Sequence, residues 1–274
     1  MLKLMYITND PEIAKIADEA GVDRIWIDLE SKGKELRQPK ILNTVLSNHR
    51  ISDIPKVKSV LKNSQLIVRI NKMDDEAEEE INNVIEAGAD IIMLPYFKTL
   101  SEVKDFLRIV DGRCITNLLI ETVEAVNILD DLLKLDGIDE FHIGLNDLHL
   151  ELHKKFMFEL LADGMVEKIC NKIRKTSKPY GFGGIAKVGE GTLPAEAIIA
   201  EHYRLGSTCA ILSRSFCNTT LITDMKQIRE TFTKGVEAIR DYEKSLLNEN
   251  KEFYLNNQKF VKKKVYEIVK TIDR

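Results

Sequence analysis

Apolar residues along this chain fall into two rhythms, one helical and one strand-like, and the switch between them recurs at a steady pace. After Asp10-Pro11, residues Ile13, Ile16, Ala17 and Ala20 repeat at helical spacing up to Gly21, and an apolar run then extends from Arg24 to Glu30. Asp10 is placed to cap that helix and Pro11 to fill its first turn, where a missing N–H costs nothing. The order returns with Ala77, Ile81, Val84 and Ile85, which Gly88 stops before Ile91-Ile92-Met93-Leu94-Pro95. It returns again with Gly137-Ile138-Asp139 before residues 140–145, and with Leu205-Gly206 before residues 209–213.

Helix, glycine stop, turn and short apolar strand in repetition predict βα units whose sheet is buried on both faces. The apolar runs predict eight strands, over 2–8, 23–30, 65–71, 90–96, 115–122, 140–145, 180–186 and 208–213. Eight units favour a closed (β/α)8 TIM barrel of the α/β class over an open doubly wound sheet. No G-x-G-x-x-G follows the first strand and no G-x-x-x-x-G-K-[ST] occurs, so the nucleotide-binding signatures of the open alternative are missing.

Two segments exceed the minimal barrel. Residues 31–54 form a long polar β2–α2 loop with Arg37, Asn43, His49 and Arg50, and loops of this length commonly serve function, here as a cover for the site. Residues 1–248 are read as one catalytic barrel domain and 249–274 as an amphipathic helical extension. Val261, Val265, Ile268 and Ile272 make its apolar stripe, with Lys262, Lys263, Lys264 and Lys270 elsewhere on its surface. A stripe without Trp or Leu favours packing on the barrel or on a second subunit over membrane contact, so a homo-oligomer is expected.

Charge and composition narrow the partners. A net charge of −4 without a dense basic patch argues against nucleic acid. No apolar run nears the roughly 18 residues that span a bilayer, and the chain opens on the strand-like Leu2–Ile7 without a basic leader, so a cytoplasmic protein without membrane contact is expected. Cys114, Cys170, Cys209 and Cys217 lack C-x-x-C spacing and are read as reduced, buried thiols.

Catalytic groups in such barrels come from the C-terminal strand ends. Those exits carry Asp28, Glu30, Arg69, Glu121 and Asp147. Glu121 and Asp147, on adjacent strands, offer hard oxygen donors to Mg2+ or Mn2+, although an acid there also serves as a helix cap. The planar fork of Arg69 suits a carboxylate or an enolate oxygen. Gly183 and Gly184 on strand seven, with Ser213 and Arg214 on strand eight, are placed to bind an anionic group, or the glycines merely relieve crowding. His142 on strand six is either a core residue or a catalytic one, and His149 and His153 have zinc-like spacing without an H-E-x-x-H motif. Lys72 and Lys187, just past strand exits, keep a Schiff-base aldolase open.

The ordered set Ile27-Asp28-Leu29-Glu30, Val68-Arg69-Ile70-Asn71, Gly88 to Pro95, Ile120-Glu121-Thr122 and Gly137 to Leu148 resembles the HpcH/HpaI aldolase and citrate lyase beta-subunit superfamily, over about residues 1–215. The resemblance implies a phosphoenolpyruvate/pyruvate-type TIM barrel and a class II, metal-dependent lyase. Such an enzyme cleaves a hydroxy-keto acid, or a related acyl compound, through an enolate. It makes Glu121 and Asp147 the ligands of Mg2+ or Mn2+, Arg69 the group that stabilises the enolate, and a small carboxylate the substrate. One position departs from the pattern: both branches follow the second-strand Glu with a His or an Asp, and this chain has Ser31. A neutral serine is a poor base. Proton transfer is then expected from Glu30, Asp28, His49 or a metal-bound water, and the alternative is a barrel that binds metal and ligand without turnover.

Overall fold

Eight parallel strands follow one another in sequence order and close on themselves: β1 (Lys3–Ile7), β2 (Arg24–Asp28), β3 (Gln65–Arg69), β4 (Ile91–Leu94), β5 (Ile115–Ile120), β6 (Glu140–Ile143), β7 (Tyr180–Ile185) and β8 (Cys209–Leu212). Pairing of Lys3 with Cys209 and of Leu4 with Ala210 closes the ring. The computed structural model describes residues 1–32 and 48–272. All eight strands lie within the expected apolar runs, and the TIM barrel is the observed architecture.

Both faces of the sheet are buried, as a parallel sheet requires. Met5, Trp26, Ile67, Met93, Leu119 and Cys209 form a cluster of their own inside the barrel. Their alternate neighbours, among them Leu4, Ile25, Val68, Ile92 and Leu118, join the larger core beneath the helices. Those helices are α1 (Pro11–Glu19), α2 (Ile54–Lys58), α3 (Ala77–Glu86), α4 (Leu100–Val110), α5 (Val123–Asn127), α6 (Leu129–Leu132), α7 (Leu145–Glu151), α8 (Glu159–Ala162), α9 (Met165–Ile173), α10 (Ala195–Leu205), α11 (Met225–Leu246) and α12 (Lys251–Ile272). Asp10 caps α1 as expected, its side chain accepting from the N–H groups of Glu12 and Ile13.

Near the N-terminal ends of the strands the interior is ionic. Arg24 on β2 meets Glu140 on β6 through two bonds, Nη1–Oε1 at 2.9 Å and Nη2–Oε2 at 3.0 Å, with both residues buried. The fork geometry repays part of the desolvation that two buried charges incur. Closure of the sheet brings these two distant strands face to face.

The C-terminal stripe packs inward on this same chain. Val261, Val265 and Ile268 of α12 are buried, while Ile272 is exposed. Asn257 donates to Ala197 O and to Glu201 Oε1, and Gln258 donates to Glu167 Oε2, which ties α12 to α9 and α10. Among the described residues no helix is long and apolar enough to cross a membrane. Of the long β2–α2 loop, residues 33–47, including Arg37 and Asn43, lie outside the described residues. His49 and Arg50 lie inside them, just before a turn of 3-10 helix, Ile51–Asp53.

Candidate active site

The C-terminal mouth of the barrel opens onto a cavity of about 580 Å3. Asp28, His49, Arg69, Glu121 and Asp147 line it on one side. Gly183, Gly184, Ser213 and Arg214 line it on the other. Glu30 is not part of the lining: it is buried, and it meets the site through Arg69.

Arg69 organises the acidic side. Its strand partner is Asp28, directly across the β2–β3 ladder, and the two side chains meet as a fork, Nε–Oδ1 at 2.9 Å and Nη2–Oδ2 at 2.8 Å. Its third nitrogen, Nη1, lies 3.1 Å from Glu30 Oε2, and the guanidinium sits over the Trp26 ring, 5.4 Å from its centroid. Burial opposes the charge, yet Asp28, Glu30 and Glu121 override it and raise the Arg69 pKa well above its ordinary value. A guanidinium has five N–H donors. Asp28 takes two of them as hydrogen bonds and Glu30 pairs with the charge at Nη1, which fixes the plane of the group at the cavity edge.

Glu121 is held by features that carry no chemical signature in the sequence. Its Oε1 accepts from the Tyr96 N–H at 3.0 Å, and Tyr96 adopts φ 47 to present that N–H. For a tyrosine this left-handed conformation costs roughly 1–3 kcal/mol. On the other side, a Cβ at Gly144 would stand 2.7 Å from Glu121 Cβ and 2.8 Å from its Oε2. Gly144 has φ −82, so its lack of a side chain makes room and relieves no strain. Asp147 follows in the first turn of α7. Asn71 stabilises the β2 exit: its Oδ1 accepts from the N–H groups of Ser31 and Lys32, and its Nδ2 donates to Glu80.

Glu121 and Asp147 fit a hard dication. They are oxygen donors at the edge of an open cavity, Gly144 leaves space beside Glu121 Oε2, and Mg2+ or Mn2+ accepts two carboxylates with water completing the shell. Among the described residues no group of three or more His, Cys, Asp or Glu is arranged to hold a metal, so the donor set does not fit a closed zinc site. His149 turns onto its own helix, with Nδ1 3.2 Å from Leu145 O. His142 does enter the barrel interior: it is buried edge-on to Trp26, and burial, with Arg24 and Arg69 adding to it, lowers its pKa to about 3. Among the described residues no lysine lines the cavity; Lys187 pairs with Glu190 and Lys72 is exposed.

The neutral side of the cavity includes Thr8, Asn9, Asn146, Asn218, Thr219 and Thr220. The sequence by itself marks none of these as site residues, nor Tyr96 and Gly144 as supports of Glu121. Gly144 lies in the Gly137 to Leu148 stretch but shows its purpose only beside Glu121. Nothing in the sequence marks Tyr96 as a positive-φ residue.

A family model described as HpcH/HpaI aldolase/citrate lyase matches residues 3–204. A search of curated protein sequences finds no match. Among solved structures, an HpcH/HpaI aldolase from Desulfitobacterium hafniense DCB-2 superposes with a TM-score of 0.63 at 18% identity, covering 84% of this chain and 93% of that one. An HpcH/HpaI aldolase/citrate lyase family protein from Burkholderia cenocepacia J2315 gives 0.63 at 12% identity, covering 83% and 94%. Macrophomate synthase gives 0.59 at 15% identity, covering 85% of each chain. At these identities the structural likeness speaks for the fold.

Proposed function

Because this chain belongs to the HpcH/HpaI aldolase/citrate lyase family, we propose that it is a metal-dependent carbon–carbon lyase acting on a small hydroxy-keto acid or a related acyl compound through an enolate. The observation that carries this reading is the Arg69 fork, oriented by Asp28 and Glu30 beside buried Glu121 at the mouth of the barrel. A fixed cation, aimed where negative charge develops, stabilises an enolate oxygen without having to reorganise during the reaction. Asp28 and Glu30 restrain the guanidinium so that its remaining donors meet the substrate. Glu121 and Asp147 would hold Mg2+ or Mn2+, and the ion when bound would supply Lewis-acid polarisation of the substrate oxygens. On the opposite wall, Arg214, Ser213 and the glycines of β7 receive the anionic or polar end of the acid.

Asp28 is a poor proton acceptor in this arrangement. Its Oδ1 takes both Arg69 Nε and the Glu30 N–H, and its Oδ2 takes Arg69 Nη2. The Schiff-base alternative lacks a lysine on the cavity wall among the described residues. A second reading, binding without turnover, draws support from Ser31, which is exposed and outside the cavity lining. The four cysteines are free thiols, which supports a cytoplasmic setting. Exposed Leu255, Phe260 and Tyr266 on α12 support a homo-oligomer built through residues 249–274, with 1–248 as the catalytic barrel.

Release of pyruvate or oxaloacetate from a panel of hydroxy-keto acids, measured with Mg2+ or Mn2+, tests the proposal. Product from one acid supports the lyase. Metal-dependent ligand binding with no product from any acid supports the second reading instead.

A further inference from the structure

We infer that His49 is a neutral hydrogen-bond donor to the substrate, fixed as the Nε2–H tautomer by the backbone of Asp28, and that it is not the general base. The Asp28 N–H donates to His49 Nδ1 at 3.0 Å. A backbone amide can only donate, so the nitrogen that receives it carries no proton. The neutral ring must then hold its proton on Nε2. An imidazolium would set one N–H against another and lose the bond.

The strand ladder explains why a ring is needed there. Pairing between β1 and β2 runs to Ile7 opposite Trp26, where Thr8 N donates to Trp26 O at 3.1 Å. Two residues further along the same edge, the Asp28 N–H has passed the end of β1, and buried Asp28 cannot leave that donor without an acceptor. His49 supplies the acceptor. The segment that delivers it is anchored a second time: Asn9 Nδ2 donates to Asp53 Oδ2 at 2.9 Å, and the same oxygen accepts from the Arg50 N–H at 3.0 Å. The imidazole is therefore held from both the strand end and the β1–α1 loop, and it lines the cavity, where Ser31 does not.

The tautomer decides the chemistry. To accept a substrate proton at Nε2, the ring would first have to lose the one already there and become an imidazolate, which is out of reach near neutral pH. What Nε2–H offers is an undemanding donor for an oxygen that gains negative charge. Arg69 is committed to the enolate oxygen in the lyase reading, on which the role of His49 as donor rests. His49 then meets the other reacting oxygen, the one on the departing carbon, which is a hydroxyl in the intact acid and a carbonyl after cleavage. In the bond-forming direction the same donor polarises that carbonyl. The hydroxyl proton passes to water in the cavity, which returns one to the enolate carbon, so the step balances without a proton on or off His49.

Two measurements on the full-length protein decide this. Long-range 1H–15N spectra of the histidine rings, with His49→Gln to assign the signal among the five histidines, are expected to show Nδ1 bare and Nε2 protonated. A ring protonated at Nδ1, or an imidazolium at neutral pH, overturns the inference. In turnover of a hydroxy-keto acid, His49→Gln, whose amide N–H2 reaches close to the Nε2 position, is expected to retain kcat within about tenfold. His49→Ala is expected to lose about 10²–10³-fold in kcat, with a smaller change in KM. Equal losses in the two variants contradict a donor role. If the wild type turns over no acid at all, the lyase reading and the substrate role of His49 fall together. A wrong tautomer in an active enzyme sinks the His49 inference alone.

Discussion

Gly144→Ala changes a single methyl group and should disable Glu121. At φ −82 and ψ 89 an alanine is unstrained, so the entire effect is steric. The new Cβ would lie 2.7 Å from Glu121 Cβ, 2.8 Å from Glu121 Oε2 and 3.2 Å from Leu119 Cδ1. Ordinary contact begins near 3.4 Å, so Glu121 must retreat by roughly 0.7 Å, yet it is buried at 2% exposure and bonded to the Tyr96 N–H. Overpacking of this kind costs about 1–3 kcal/mol, or roughly 2–10 °C in Tm for a chain of this size. A displacement approaching 1 Å in a catalytic group costs up to about 10²-fold in rate. Thermal unfolding gives the first quantity. Mg2+ titration by calorimetry, together with kcat/KM, gives the second. A variant with wild-type Tm and wild-type Mg2+ affinity would refute the claim that Gly144 makes the space in which Glu121 holds its metal.

Other parts of the structure yield outcomes of their own. Arg69→Lys should reduce kcat/KM by about 10²-fold or more, because an ammonium cannot satisfy Asp28 as a fork and reach Glu30 and the substrate as well; turnover at the wild-type rate removes Arg69 from the mechanism. Arg24→Met should cost about 3–5 kcal/mol in a denaturation experiment by stranding buried Glu140, and adding Glu140→Leu should restore most of it. A double variant no more stable than the single one would show that the pair is not acting as a unit. Burial, with a smaller effect of His142, lowers the His202 pKa to about 3, against 6.5 ordinarily. Between these values the unfolded chain binds a proton that the folded one refuses, so the stability contributed is complete above pH 6.5 and declines by about 1.4 kcal/mol per pH unit on acidification toward 3. His202→Phe, stacking in the same place on Phe182, should flatten the profile of Tm against pH over that window. A profile parallel to that of the wild type would show that His202 is protonated in the fold.

The barrel was legible because its cause is local. Each βα unit announces itself through a capped helix, a glycine stop and an apolar run, as at Asp10-Pro11 to Glu30, and eight repetitions leave little freedom for the sheet. Strand exits were legible for the same reason, and Asp28, Arg69, Glu121 and Asp147 converge on one cavity. Relations across the barrel were not. Arg24 reads as the first residue of an apolar strand until ring closure sets it against Glu140. Glu30 reads as a cavity residue, but β2 ends at Asp28, and Glu30 turns behind Arg69. His49 stands out in the sequence only as an imidazole near the position that Ser31 fills. Its tautomer depends on which strand edge runs out of partners, and spacing along the chain does not encode that.

In the proposed lyase, Glu121 and Asp147 hold a divalent ion that carbon–carbon cleavage requires. Turnover of the best hydroxy-keto acid by protein stripped with EDTA and then reloaded with Mg2+ or Mn2+, beside Glu121→Gln and Asp147→Asn, tests this most directly. Activity that vanishes on stripping, returns on reloading and fails to return in either variant, with Tm of the stripped proteins alike, is the predicted result. Full activity in the stripped wild type, or full recovery in both variants, would contradict it.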